Sequence, residues 1–328
     1  MARVLVTGGA GYIGSHTAKA LASRNLEPII VDDFHSGHRW AVKWGSLAEG
    51  DLADPVFLRD VFTRYKPEAV IHFAGEIQVG ESVNDPGKYY WSNCVNTLRL
   101  LDAMREAAVR RIVFSSSAAV YGDPEVTPIP EDHSLRPVNP YGETKLFVER
   151  ALRSYESGYG LHWTALRYFN ACGADPQGEL GEDHHPESHL IPLVIAAALG
   201  RRPAVEVYGT DYPTPDGTAI RDYIHVTDLA EAHVQALHRL IDGGKSCALN
   251  LGTGRGHSVR DVIAAVRAAE GVNPPYRDAP RRAGDPPVLV ADASLAREAL
   301  NWNPCHSTLE EIIRTAWRWH ASHDGAGH

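Results

Sequence analysis

Short apolar segments alternate with longer amphipathic segments along the first 170 residues of the chain. The apolar segments are rich in β-branched residues and end in small or polar residues, which is typical of buried strands. We predict strands at Arg3–Thr7, Pro28–Val31, Ala69–Phe73, Arg111–Ser115 and Trp163–Arg167. We predict helices between them, among others at Ser15–Arg24, Tyr89–Ala108 and Tyr141–Ser157. This alternation predicts an α/β fold, a Rossmann-like doubly wound parallel sheet with helices on both faces.

The second half of the chain has a less regular pattern. A segment rich in Pro, Gly, His and acidic residues precedes a helix predicted near Ile191–Leu199, and a last helix is predicted from Thr308 to His320. We expect the final residues, SHDGAGH, to be frayed. The predicted domains are a Rossmann domain at 1–170, with a later return near 221–239, and a smaller α/β substrate-binding domain at 171–328.

Composition restricts the kinds of partner. The 328 residues carry a formal net charge of −9, and nucleic-acid binding needs a positive surface, so we expect no nucleic-acid partner. No apolar run approaches the roughly 18 residues of a membrane helix, so we expect no membrane partner. The four cysteines are scattered without a CxxC pair, which argues against a zinc site and a disulfide framework. With no signal-peptide pattern at the start, we expect a cytoplasmic protein.

The segment VLVTGGAGYIG places glycines between a predicted strand and a predicted helix. Gly8, Gly11 and Gly14 allow a tight turn and a close approach of the backbone to a pyrophosphate at the helix N-terminus. The next strand ends in Asp32, with Asp33 beside it, about 20 residues past the loop, where a dinucleotide ribose lies. A carboxylate there accepts a hydrogen bond from a 2′-hydroxyl and repels a 2′-phosphate. The loop therefore predicts binding of NAD rather than NADP.

The segment NPYGETK predicts a helix start, with Asn139 as N-cap and Pro140 in the first turn. Tyr141 and Lys145 are four residues apart and therefore share one face of that helix. A nearby ammonium group, together with a positive nicotinamide ring, would lower the pKa of the phenol below its ordinary value of about 10. Ser117, at the end of a predicted strand, is placed to hydrogen-bond the same substrate oxygen. We predict that these last three residues are catalytic.

Several motifs together resemble the extended short-chain dehydrogenase/reductase superfamily: TGGAGYIG, Asp32, SSSAAVYG and YGETK. Further segments, in order and spacing, resemble the UDP-glucose 4-epimerase family over nearly the whole chain. They are FAGEIQVGES, LRYFNACGA, GTDYPTPDGTAIRDYIHVTDLA, LNLGTG and RRAGDPP. The resemblance implies reversible 4-epimerisation of UDP-glucose and UDP-galactose through a 4-keto intermediate, with NAD tightly bound.

Two alanines, Ala118 and Ala119, follow Ser117 at the strand end. In related families that eliminate water from a nucleotide sugar, acidic residues stand at these places. An alanine side chain neither holds nor transfers a proton, so dehydration lacks its catalyst here. Oxidation and reduction remain, and a site that takes a hydride and returns it to the other face of the sugar performs an epimerisation.

The resemblance also implies a set of binding residues and a homodimer joined through the helices predicted at Tyr89–Ala108 and Tyr141–Ser157. Arginine suits the diphosphate because its planar guanidinium makes bidentate contacts. Besides the three catalytic residues, the cofactor contacts are Gly8, Gly11, Tyr12, Ile13, Gly14, Asp32, Asp33, Phe34, Ser36, Gly37, Asp51, Leu52, Phe73, Ala74, Gly75, Ser92 and Phe169. Besides Ser117 and Tyr141, the UDP-sugar contacts are Asn170, His189, Leu190, Tyr208, Arg221, Arg282, Asp285 and Leu289.

Four positions depart from the family pattern. Ile77 replaces a lysine found in some epimerases, Ser92 replaces an asparagine near the nicotinamide, and His189 replaces an asparagine before the uridine-contacting leucine. Leu289 stands where the family gates sugar size: a tyrosine restricts the pocket to hexoses, and small residues admit N-acetylated sugars. We expect UDP-glucose and UDP-galactose as the main pair.

Other functions stay open at this point. The alternatives are 4-epimerisation of a UDP-N-acetylhexosamine, a UDP-pentose or a UDP-uronate, and net NAD-dependent dehydrogenation of a nucleotide sugar. A non-enzymatic, redox-sensing NAD-binding regulator is disfavoured because Ser117, Tyr141 and Lys145 are all present. The segment GEDHHPESH offers several metal-ligand side chains, but adjacent histidines on a loop rarely converge on one ion, so we predict no metal site.

Overall fold

The computed structural model describes residues 2–282 and 284–323, and it has a seven-stranded sheet at its centre. The strands of this sheet are β1 (Arg3–Thr7), β2 (Glu27–Asp32), β3 (Ser46–Glu49), β4 (Ala69–His72), β5 (Arg111–Ser117), β6 (His162–Tyr168) and β10 (Cys247–Leu251). They lie in the order β10–β6–β5–β4–β1–β2–β3, and every neighbouring pair is parallel. The carboxyl ends of all seven strands therefore meet at one edge.

Both faces of this sheet are buried under helices. The helices on one face are α1 (Tyr12–Ser23) and α8 (Val226–Ile241), and those on the other are α2 (Pro55–Tyr65), α5 (Asn96–Glu106) and α6 (Pro140–Tyr159). Because side chains alternate along a strand, Val4 and Val6 pack on the first face and Leu5 packs on the second. Burial on both sides explains why the strands are almost continuously apolar, and it confirms the predicted doubly wound fold.

The segment predicted as one helix at Tyr89–Ala108 differs in the structure. It consists of the end of α4 (Pro86–Tyr89), a π-helical turn at Tyr90–Val95, and α5, with α3 (Val79–Asn84) just before it. The π-turn carries Asn93, whose side chain points inward and hydrogen-bonds the backbone N–H of Glu76 at 2.7 Å. Such wide turns often mark functional positions in helices, and this one depends on a tertiary bond that a helical repeat does not reveal.

The second half of the chain adds smaller sheets and three packed helices. The remaining strands are β7 (Asn170–Cys172), β8 (Val205–Tyr208), β9 (Ile220–His225), β11 (Gly256–Ser258), β12 (Tyr276–Ala279) and β13 (Val288–Leu289). Strand β9 pairs with β7, β11 and β13, and β8 pairs with β12. A separate apolar core is formed by α7 (Leu190–Ala198), α9 (Val259–Glu270) and α11 (Leu309–Ser322), while α10 (Ser294–Leu300) packs towards the large sheet.

The chain crosses between the two parts more than once. The predicted return near 221–239 begins with β9, which belongs to the four-stranded sheet. Within this segment, α8 is the part that packs on the large sheet. Strand β10 then adds the outermost strand of the large sheet. The domain division at residue 170 stays a prediction, and most of the predicted frayed tail (324–328) lies outside the described residues. Within the described residues, no helix is long and apolar enough to cross a membrane.

Candidate active site

A cavity of about 580 Å³ opens at the edge where the strands of the large sheet end. Its wall contains every residue predicted from the sequence to bind the cofactor, together with Ser117, Tyr141 and Lys145. These residues come from the ends of β1 to β6, from the N-terminal turns of α1 and α6, and, for Ser92, from the π-helical turn. Parallel strands bring them together although they are spread over more than 160 positions of the chain. A cavity of this size suits a cofactor and the reacting part of a substrate.

The glycine-rich loop is packed directly against the end of β4. Gly8 has φ +67°, and a Cβ atom there would lie 2.6 Å from the backbone nitrogen of Ala74. A Cβ atom on Gly14 would lie 2.2 Å from the carbonyl oxygen of Gly8. Only glycine fits these two positions, and the result is a smooth backbone cradle at the start of α1. This cradle fits a dinucleotide pyrophosphate.

Asp32 occupies the end of β2 beside this loop, and its side chain is buried. Its carboxylate accepts hydrogen bonds from the backbone N–H groups of Ala10 (2.9 Å) and Phe34 (3.0 Å). Burial raises the pKa of Asp32, and these two hydrogen bonds oppose that rise. The carboxylate is thus fixed in direction, with lone pairs left to accept a ribose hydroxyl. This is the arrangement predicted for NAD.

Helix α6 is positioned by its first turn, as the sequence predicts. The Asn139 side chain accepts a hydrogen bond from the backbone N–H of Gly142 at 2.9 Å, and Pro140 begins the helix. A Cβ atom on Gly142 would lie 2.5 Å from the carbonyl oxygen of Ala119. The glycine of the YGETK motif therefore lets the helix contact the short 3₁₀ turn that follows β5. This contact sets the distance between Tyr141 and the end of β5.

Lys145 is buried beneath the tyrosine that precedes it by one turn. Its Nζ donates a hydrogen bond to the carbonyl oxygen of Ser115 at 2.9 Å and lies 5.6 Å from the centroid of the Tyr141 ring. Burial lowers the pKa of Lys145 to about 8. Burial also raises the pKa of Tyr141, and the hydroxyl of Ser117 acts in the opposite direction. The predicted lowering of the Tyr141 pKa is therefore not found in the protein alone, because desolvation outweighs the opposing hydrogen bond from Ser117.

Ser117 has two contacts at the end of β5. Its hydroxyl oxygen accepts a hydrogen bond from the backbone N–H of Ala119 at 3.2 Å, and its side chain also interacts with Tyr141. It thus caps the following turn and faces the reacting position at the same time. Ala118 is buried in a small apolar cluster with Val120 and its neighbours. Neither alanine places a proton-carrying group at this strand end.

A buried polar network that the sequence analysis missed supports the same strand end. Glu149 of α6 forms an ion pair with Arg167 of β6 at 2.7 Å and accepts a hydrogen bond from Ser116 at 2.7 Å. Arg167 also donates to the hydroxyl of Tyr121 at 2.8 Å, which in turn donates to Asn250 at 2.6 Å. The signal in the sequence was an arginine within an otherwise apolar strand. The network ties α6, β5, β6 and β10 together directly behind the catalytic residues.

Five of the predicted UDP-sugar contacts lie in two groups away from this wall. In the first group, Arg221 of β9 forms an ion pair with Asp285, and Leu289 of β13 is the register neighbour of Arg221. In the second group, Arg282 lies over the ring of Tyr208, with 4.0 Å between its guanidinium carbon and the ring centroid. The first group belongs to the four-stranded sheet and the loop before β13, and the second to the two-stranded sheet of β8 and β12 and the loop after β12.

Asn170 and His189 connect the two regions, since both line the main cavity and a small hollow that also contains Leu190. Leu289 packs beside Phe169 against the cluster around Ala118. Leu289 therefore lies close to the turn that follows Ser117, while its role as a gate stays a prediction.

The departures from the family pattern also have definite positions. Ile77 and Ser92 line the cavity, whereas Asn93 is buried and holds the loop after β4. His189 hydrogen-bonds Glu182 at 2.5 Å. Further lining residues that the sequence analysis did not assign to the site are Gln78, Asn96, His38, Trp40, Tyr168 and His184.

Comparisons with known proteins agree with this geometry. Residues 4–252 match the NAD dependent epimerase/dehydratase family. The chain is 50% identical over 318 residues to a UDP-glucose 4-epimerase from Rhizobium leguminosarum bv. trifolii, covering 97% of each chain. A crystal structure of UDP-glucose 4-epimerase from Brucella ovis in complex with NAD is 52% identical, with a TM-score of 0.95 and coverage of 97% of this chain and 98% of that one.

A second similar structure was solved with UDP as well as NAD⁺. The UDP-glucose 4-epimerase from Bifidobacterium longum, in complex with NAD⁺ and UDP, is 40% identical with a TM-score of 0.93, and the match covers 99% of this chain and 100% of that chain. The family match, the near full-length relatives and the shared fold agree with one another. The chain belongs to the NAD dependent epimerase/dehydratase family.

Proposed function

We propose that the chain interconverts UDP-glucose and UDP-galactose as an NAD-dependent UDP-glucose 4-epimerase. The observation that carries the proposal is the single cavity that brings the glycine cradle, Asp32, Ser117, Tyr141 and Lys145 together. The near full-length relatives at about half identity are UDP-glucose 4-epimerases. A regulator that only binds NAD would not need a serine, tyrosine and lysine at the strand end.

When bound, NAD supplies a reversible hydride acceptor, so that C4 of the sugar is oxidised and then reduced again on its other face. Tyr141 takes the proton of the 4-hydroxyl group and later returns it. Ser117 hydrogen-bonds the same oxygen and orients it towards the phenol. Lys145, fixed by the Ser115 carbonyl, provides positive charge beside the phenolate.

The nucleotide side supports this proposal through charge. A diphosphate is an anion, and the protein carries a net charge of −9, so local cations must hold it. Arg221 and Arg282 supply planar guanidinium groups on the small sheet and its neighbouring loop, and Asp285 lies beside Arg221 to accept a ribose hydroxyl. Firm binding of the nucleotide and loose binding of the sugar let the 4-keto sugar rotate and present its other face.

The same proposal includes a homodimer in the cytoplasm. Large apolar side chains are exposed on the surface shared by α3, the π-turn and α6: Val83 (62% exposed), Trp91 (65%) and Phe147 (40%). A second copy of the chain would cover them through the helices predicted from the resemblance. All four cysteines are free, which suits a reducing compartment. Light scattering of wild type and Trp91→Glu tests the dimer, which we expect the variant to weaken.

The decisive experiment is to incubate the purified protein, without added cofactor, with UDP-galactose and to follow sugar products and NADH absorbance. We expect UDP-glucose to appear without net NADH. NADH that accumulates in step with added NAD would instead establish a net dehydrogenase. Tyr141→Phe is the matched control, because it keeps the ring and removes only the hydroxyl group.

A further inference from the structure

The loop before α7 brings four side chains with metal-binding atoms together. One ligand atom each from Glu182, His184, Glu187 and His189 lies within 4.8 Å of all the others. The sequence argument against a metal site rested on adjacent histidines, but the two that meet here, His184 and His189, are not adjacent. His184 turns into the loop, and only its neighbour His185 stays outside, with 64% of its side chain exposed.

The separations within this cluster suit a small four-coordinate ion. Nδ1 of His184 lies 3.3 Å from the carboxylate of Glu182 and 3.7 Å from that of Glu187. Nδ1 of His189 lies 3.6 Å from the carboxylate of Glu187 and 2.5 Å from that of Glu182. Zinc bonds of about 2.0–2.1 Å in a tetrahedron put neighbouring ligand atoms roughly 3.3 Å apart. The hydrogen-bonded pair of Glu182 and His189 would have to separate, because the ion takes the place of the proton between them. The wider pairs, up to 4.8 Å apart, would have to draw closer.

One nitrogen of the cluster has no well-aligned hydrogen bond. Nδ1 of His184 is buried and makes none, although it lies 3.3 Å from the Glu182 carboxylate and 3.7 Å from that of Glu187. Buried polar atoms are nearly always hydrogen-bonded, so this nitrogen calls for an explanation. The side chain of Glu182 is also almost completely buried, at 3% exposed. A buried carboxylate and an imidazole nitrogen that face the same point without a well-aligned hydrogen bond can share a bound cation.

We propose that Glu182, His184, Glu187 and His189 bind one Zn²⁺ ion or a similar transition-metal ion. Two imidazole nitrogens and two carboxylate oxygens are ligands that zinc accepts, whereas Mg²⁺ and Ca²⁺ prefer oxygen alone. The two positive charges of the ion balance the two carboxylates when both imidazoles are neutral. The site shares His189 with the predicted UDP-sugar contacts but contains none of the three predicted catalytic residues, and it does not depend on the proposed function.

The position of the site predicts what a bound ion would do. His184 and His189 line the main cavity, and His189 immediately precedes α7. Tyr12, at the start of α1, contacts the His184 ring edge-on, with 6.1 Å between the centroids. An ion would therefore fasten the loop between α7 and the cofactor cradle. Because it binds the folded protein, it would also raise the melting temperature.

The test is titration of chelator-treated, NAD-containing protein with Co²⁺ and with Zn²⁺. We expect one Co²⁺ per chain with the visible absorption bands of a four-coordinate site, displacement of Co²⁺ by Zn²⁺, and no competition from millimolar Mg²⁺. His184→Gln and Glu187→Gln should each weaken binding by about 100-fold or more, since loss of a direct ligand exceeds the effect of its supports. His185→Gln is the matched control and should bind like the wild type.

Two outcomes would overturn the proposal. One is the lack of stoichiometric Co²⁺ or Zn²⁺ binding by the wild-type protein, which needs no variant to fold. The other is binding that His184→Gln and Glu187→Gln leave unchanged while their NAD content and circular dichroism match the wild type.

Discussion

The wall of the main cavity and the surroundings of Arg221 differ in how their residues are held. Around the cavity, the polar groups are held by contacts with the backbone. Asp32 accepts hydrogen bonds from two backbone amides, and Lys145 donates one to a strand carbonyl. Gly8 packs against the backbone that follows β4. Around Arg221, side chains hold each other, as in the ion pair with Asp285. Backbone contacts define a fixed position, whereas paired side chains can exchange partners.

This difference fits the demands of the reaction. The cofactor and the proton-transferring groups must keep one geometry through both hydride transfers, because small displacements cost rate. If Arg221 holds the diphosphate as proposed, it must be released from Asp285 when the nucleotide binds. We call the cavity wall around Asp32, Tyr141 and Lys145 the fixed region, and the surroundings of Arg221 the adaptable region. The following changes test whether these two regions are as separate as this comparison suggests, beginning with the largest expected effect.

Tyr141→Phe, a change in the fixed region, should remove most of the activity of the protein. We expect turnover with UDP-galactose to fall by about 10³-fold, because the variant lacks the group that moves the proton. NAD content and the free energy of unfolding should stay near the wild-type values. Activity within tenfold of the wild type would show that another group serves as the base.

Arg167→Met should reveal how much the buried network supports the fixed region. The change leaves Glu149 as an unpaired buried charge, so we expect the free energy of unfolding to fall by about 3–5 kcal/mol. Urea unfolding measures this loss. The double variant Glu149→Leu/Arg167→Met should recover part of it, and a double variant no more stable than the single one would contradict the pairing.

Lys145 should give the protein a pH-dependent stability. Its pKa is lowered from 10.5 to about 8 by burial, so between these values the unfolded chain holds a proton that the folded chain has lost. The free energy of unfolding should therefore rise with pH over this window by up to about 1.4 kcal/mol per unit, relative to Lys145→Met. Urea unfolding of both proteins at several pH values between 7.5 and 10 measures the difference. A constant difference would contradict the lowered pKa.

Arg221→Lys should affect only the adaptable region. Lysine keeps the charge but loses the bidentate fork, and we expect the KM for UDP-galactose to rise about tenfold or more with little change in kcat. NAD content should not change. Arg24→Lys, at an ion pair with Glu231 elsewhere, is the matched control. A large loss of kcat instead would show that the two regions are coupled.

Leu289 should produce the smallest effect, on the choice of sugar. We expect Leu289→Tyr to lower the activity ratio of UDP-N-acetylgalactosamine to UDP-galactose by about tenfold, as the larger side chain excludes the acetamido group. Leu289→Ser should raise the same ratio. Equal activity ratios in both variants would show that Leu289 does not control which sugar is accepted.

Much of the fixed region was predictable because its signals are local. A glycine loop between a strand and a helix, an acid at the next strand end and the Asn139–Pro140 helix start each need only a few neighbouring residues. The parallel sheet then brings these separate signals to one edge. The adaptable region was predictable only through family resemblance, since an arginine such as Arg221 has no local pattern that distinguishes a phosphate ligand from a surface ion pair.

By itself, the sequence determined the doubly wound sheet, the choice of Ser117, Tyr141 and Lys145 as predicted catalytic residues, and the two alanines that argue against dehydration. Only the tertiary structure decided the raised pKa of Tyr141, the π-turn around Asn93 and the convergence of His184 with Glu182. The physical reason is the separation along the chain over which each interaction acts. Hydrophobic period, capping and turn preferences act between near neighbours in the chain, whereas desolvation and the meeting of polar side chains depend on packing between distant segments.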